Sequence, residues 1–77
     1  MSHFPGHLRE AFTDWINAGK PATVTVDVDY QPTEWPARKL LGRMAHCTDI
    51  LPGGYCDELG MPQGVTYAAA AQRLLHD

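Results

Sequence analysis

The run ATVTVDVDY, from Ala22 to Tyr30, limits what this chain can fold into more than any other stretch. Val24, Val26, Val28 and Tyr30 alternate with Thr23, Thr25, Asp27 and Asp29. A period of two sends successive side chains to opposite faces of an extended strand, here one dry and one wet and acidic. Such a strand also carries backbone donors and acceptors that need partners. No second run of this quality occurs; the nearest, Gly64–Tyr67, is short. Three arrangements satisfy the strand: pairing with the same strand of a second copy across a two-fold axis, a short strand elsewhere in the chain, or an open edge that receives a strand from a ligand protein.

The remaining segments read as helices. Leu8, Ala11, Phe12, Trp15 and Ile16 recur at helical spacing from about His7 to Ala18, with Gly19-Lys20-Pro21 as the stop. In PTEWPARKLLGRMAHC, Thr33 reads as an N-cap and Pro36 as a first-turn residue. Ala37, Leu40, Leu41, Met44, Ala45 and Cys47 then gather on one face, and Arg38, Lys39, Gly42, Arg43 and His46 on the other. A short helix is expected from about Pro52 to Leu59, closed by Gly60, with Leu51, Tyr55, Cys56 and Leu59 inward. A last helix is expected from about Thr66 to His76, where four consecutive alanines favour helix and close packing. The fold class expected is therefore mainly α, or α+β if the strand pairs: helix–strand–helix–short helix–helix, one domain over residues 1–77, the strand completed by dimerisation in the self-pairing arrangement.

With 77 residues and a 44% apolar fraction the chain suits one small globular domain. It contains no apolar run long enough to span a bilayer. MSHFPGHLRE lacks the basic start and apolar stretch of a secretory signal, so a cytoplasmic location with reduced thiols is expected. The net charge of −3 is unevenly spread, with acids at Asp27, Asp29 and Glu34 and bases at Arg38, Lys39 and Arg43. No polybasic tail marks the chain for nucleic acid or an anionic membrane.

HCTDILPGGYC, from His46 to Cys56, invites a metal or redox reading. Zinc needs ligands that converge, usually from pairs spaced by two to five residues. His46-Cys47 and Cys56-Asp57 are adjacent pairs, and neighbours on a helix diverge by about 100°. The expectation is two reduced, buried thiols at a helix–helix contact, with no metal and no cofactor. Asp27 and Asp29 share one strand face, but an exposed acidic face usually serves to keep an edge from aggregating, and no catalytic motif accompanies it. No catalytic residue is assigned.

YCDELGMPQGVTYAAAAQRLL resembles the helix-turn-helix family over about twenty residues, with Cys56 four residues before Gly60. A strand followed by two helices likewise resembles the ribbon-helix-helix dimers. Both resemblances imply a DNA-binding regulator, kept here as the alternative. The second helix offers Arg73 alone as a cation, and the strand would present Asp27 and Asp29 to phosphate, so nucleic acid is a poor expectation. The favoured reading is a small non-catalytic protein-binding module (a regulator, adaptor or inhibitor), with another protein or a second copy as partner. Its candidate docking residues are Thr25, Asp27 and Asp29 on the strand, Arg38, Lys39 and Arg43 on the helix, and Trp35, which serves either as a partly exposed anchor beside them or packs back over the preceding strand to close the core.

Overall fold

The computed structural model describes residues 4–76. Helix α1 (Gly6–Asn17) forms on the expected stripe, burying Leu8, Ala11, Phe12, Trp15 and Ile16. It stops where glycine permits a left-handed residue. At Gly19 φ is 89°, which lets its N–H donate to the Ile16 carbonyl at 3.0 Å and the Lys20 N–H donate to the Trp15 carbonyl at 2.9 Å.

Strand β1 (Thr23–Val28) carries the alternation, with Val24 and Val26 buried and Thr23, Thr25 and Asp27 exposed. Its partner lies in the same chain. Strand β2 (Gln31–Pro36) pairs antiparallel with it, in register from Val28 opposite Gln31 to Thr23 opposite Pro36. Of the three arrangements, a short strand elsewhere in the chain is the one found, and two other expectations are corrected here. The strand needs no second copy to pair. It ends at Val28, so Asp29 and Tyr30 form the hairpin loop and not the strand's last alternation. Thr33 is no N-cap; it sits in β2 opposite Val26, and its hydroxyl donates to the Gln31 carbonyl at 3.2 Å. The physical reason lies in Pro32 and Pro36, which hold Gln31 and Trp35 extended and so delay the helix.

Helix α2 (Ala37–Met44) starts directly after Pro36 and buries Ala37, Leu40, Leu41 and Met44. Helices α3 (Gly53–Glu58) and α4 (Tyr67–His76) follow, and Thr66 caps α4 by accepting the Ala69 N–H at 3.0 Å. The molecule thus has four helices and a two-stranded antiparallel sheet among its described residues. Helix α1 packs on β1 and α2, α4 lies along α2, and α3 rests on α1. Phe12 sits at the junction, its ring 6.0 Å from that of Trp15 and 5.6 Å, edge-on, from that of Tyr67. Phe12, Leu40, Met44, Leu51, Val26, Cys47 and Cys56 are the largest side chains fully withdrawn from water.

The segment between α2 and α3 is stitched to the approach to α4. Leu51 N–H donates to Val65 O at 2.8 Å, Tyr67 N–H to Asp49 O at 2.9 Å, and Ala68 N–H to Cys47 O at 2.8 Å. The short Gly64–Tyr67 run therefore makes a single bridge, Ile50 opposite Thr66, in place of a strand.

Candidate functional site

The hairpin presents the acidic surface. Opposite residues of an antiparallel pair share a face, so Thr25 with Glu34 and Asp27 with Pro32 stand outward. All four are exposed. At the tip, Asp29 and Tyr30 adopt φ of 51° and 66°. Positive φ at both loop residues is the geometry of a type I′ turn, whose usual occupants are asparagine and glycine. A tyrosine is costly there, and this one buries nothing: its relative exposure is 102%. Asp27, Asp29 and Tyr30 join His7 of α1 around an open depression of about 510 Å³. Of the sequence-derived candidates, Thr25, Asp27 and Asp29 thus belong to one surface. Tyr30 joins this surface, although its place in the alternation made it an inward strand residue.

Trp35 follows the second of its two readings: it packs over the preceding strand, in β2 opposite Val24 and only 9% exposed, and is not a partly exposed anchor on the polar side of a helix. Its ring closes the core beneath the sheet, and Lys39 Nζ lies 4.5 Å from the ring centroid. That contact is a cation–π interaction and gives Lys39 a structural task. Arg38, Lys39, Arg43 and His46 are all exposed around α2. Arg38 also borders an open groove of about 590 Å³ with Lys20, Trp15, Leu41 and Leu74. Hairpin tip and helix face are therefore separate surfaces of opposite charge.

The thiols are sealed. Cys47 and Cys56 are free and fully buried, while His46 and Asp57 beside them are exposed. Cys47 Sγ lies 3.6 Å from Asp49 Oδ2, and that same oxygen accepts from Arg9 Nη1 at 2.8 Å. Burial pushes the Cys47 thiol up, and the negative charge of Asp49 adds to the shift, so the reactive thiolate is disfavoured. Among the described residues no group of three or more His, Cys, Asp or Glu could hold a metal ion.

The helix-turn-helix resemblance does not extend to packing. Among the described residues α3 and α4 do not pack on one another; α3 rests on α1 and α4 on α2. Arg73, the lone cation in that stretch, donates to the Gly60 carbonyl at 3.2 Å. Among the described residues no helix is long and apolar enough to cross a membrane. No family model matches the chain, and neither the curated proteins nor the solved structures compared with it contain a match.

Proposed function

We propose that this chain is a small non-catalytic protein-binding module, a regulator, adaptor or inhibitor, that docks through its acidic hairpin, with the Arg38, Lys39 and Arg43 face of α2 as a second, oppositely charged contact. The observation that carries the reading is Tyr30. A large aromatic side chain, fully exposed on a backbone that glycine would occupy with less strain, gains nothing for the fold. Exposed aromatics flanked by charge are what binding hot spots are made of. Asp27 and Asp29 beside it favour a partner with basic groups. A cytoplasmic setting suits two unbonded thiols.

The test is affinity capture from the native cell with the wild type and with Tyr30→Ser and Arg43→Glu variants of unchanged melting temperature. A protein retained by the wild type and lost from the Tyr30→Ser column is expected. Identical retention on both columns removes the hairpin from the interface. The DNA-binding alternative predicts a shifted random duplex at about 50 mM salt, released as salt rises. The packing of α3 and α4 on different partners weighs against it.

A further inference from the structure

The two edges of the hairpin are chemically unequal. Ala37 N–H donates to Ala22 O at 2.9 Å, which places Ala22–Ala37 at a hydrogen-bonded position of the ladder. Bonded and non-bonded pairs alternate along an antiparallel ladder. Val24–Trp35, Val26–Thr33 and Val28–Gln31 are consequently the bonded pairs, and Thr23–Pro36, Thr25–Glu34 and Asp27–Pro32 are not. The backbone groups of these last six residues point away from the partner strand.

On β2 that outward row reads Pro32, Glu34, Pro36. Proline has no N–H, so Glu34 alone offers a donor and the edge cannot template another strand. On β1 the outward row is Thr23, Thr25 and Asp27, each with its N–H and C=O outside the β1–β2 ladder. None of the three N–H groups donates to another described residue. Beside this edge, Asp14 and Trp15 of α1 and Ala18 just after it form a furrow with Thr23 and Thr25, about 240 Å³ in volume, to which β2 contributes nothing. Toward the tip the same side opens into the depression of His7, Asp27, Asp29 and Tyr30.

We propose that the free edge of β1 receives an extended segment of a partner protein, added as a third strand, with lysine or arginine at alternate positions. This rests on the reading of the chain as a binding module and names its mode and its partner chemistry. The ladder supplies main-chain hydrogen bonds, and side chains at alternate positions supply selectivity. Outward residues of the incoming strand fall beside Thr23, Thr25 and Asp27, with Glu34 one strand further and Asp29 at the tip; inward ones enter the furrow past Asp14 and Ala18. From Thr23 to Pro36 the hairpin carries Asp27, Asp29 and Glu34 and no cation, which selects a basic segment. Lys20 lies outside the hairpin, in the groove with Arg38.

The probe is a capped peptide as long as the six residues of β1, alternating lysine and valine, with a glutamate–valine peptide as control. Binding of the lysine peptide is expected to slow amide hydrogen exchange at Thr23, Thr25 and Asp27 by about tenfold or more at saturation, and to weaken as salt is raised. Thr25→Pro deletes an outward donor without touching the β1–β2 ladder and should weaken binding about tenfold. Val26→Pro breaks the ladder itself and serves as the unfolding control. If Thr25→Pro fails to fold, Asp27→Lys with Glu34→Lys should invert the preference toward the glutamate peptide. Binding that leaves those three amides unprotected, or that survives Thr25→Pro, overturns the strand-addition mode while the module reading stands. No binding of the lysine peptide at millimolar concentration overturns it as well, and the capture experiment then judges the module reading separately. Protection of the same amides in a dimeric wild type without peptide assigns the edge to a second copy and overturns the basic-partner proposal.

Discussion

Replacing Tyr30 by glycine should stabilise the protein. The left-handed region costs an L-residue about 1–2 kcal/mol, and Tyr30 sits there with φ of 66°. Its side chain is 102% exposed, so truncation takes no apolar surface out of the core. Glycine removes the clash but returns about 0.5–1 kcal/mol to the unfolded chain as conformational freedom. The net gain is about 0.5–1 kcal/mol, which in a domain of this size raises the melting temperature by about 2–8 °C. Asp29→Asn is the control: both residues tolerate the left-handed region at φ of 51°, and its effect should stay within about 0.5 kcal/mol. Thermal and urea unfolding followed by circular dichroism measure both. If Tyr30→Gly melts no higher than the wild type, the turn is not strained and the argument that tyrosine is kept for binding fails. If it melts higher and still retains the partner, the strain is real but the role assigned to the ring is wrong.

Alkaline pH should weaken the fold from a defined threshold. Burial raises the Cys47 thiol above its ordinary 9.0 and the Tyr67 phenol above its ordinary 10.0. The unfolded chain releases these protons first, so their contribution is intact below pH 9 and is lost as pH rises past 9 and 10, by up to about 1.4 kcal/mol per pH unit for each group. Urea midpoints that stay constant or rise between pH about 8.5 and 11 contradict this sign. Native-state thiol labelling should also be slow, because Cys47 and Cys56 each show 0% exposure. A rate at least about a hundredfold below that in denaturant is expected, since reaction waits on opening. Rapid modification of both thiols in the folded protein overturns their assignment to the core.

The helices were legible because each solves its burial problem alone: the stripe of α1 and the apolar face of α2 need no knowledge of their neighbours. The same holds for β1, whose alternation is written entirely in valine, threonine and aspartate. Strand β2 was not legible, since only Trp35 of its six residues is buried. Threonine followed three residues later by proline also describes the start of a helix. The turn gave no signal either, because Asp29-Tyr30 lacks the glycine by which a two-residue hairpin loop is usually recognised. What could have revealed β2 is the spacing of Pro32, Glu34 and Pro36. At period two these residues fall on one side of a strand, the side on which a missing N–H goes unnoticed. Of the proposed docking residues, Thr25 and Asp27 followed from the alternation, and Arg38, Lys39 and Arg43 from helical phase. Trp35 was assigned to a helix and not to the strand that carries it, although its packing over β1 to close the core was one of its two readings.

The inequality of the edges sharpens the case for a basic partner over a second copy. Both edges are guarded against aggregation, but by different means, and the prolines fall on β2 only. The exposed row of β1 is guarded differently, by charge. An antiparallel β1–β1 pairing centred on Thr25 would bring together two hairpins that each carry Asp27, Asp29 and Glu34 without a cation. Each Asp27 would face a Thr23 of the other copy, with no counterion for either carboxylate. Carboxylates discriminate where prolines cannot: they leave the ladder open to a strand bearing lysine or arginine and disfavour one bearing acids. An edge closed by proline rejects every strand, while an edge that ends on Asp27, with Asp29 at the adjoining tip, disfavours its own kind and admits the opposite charge.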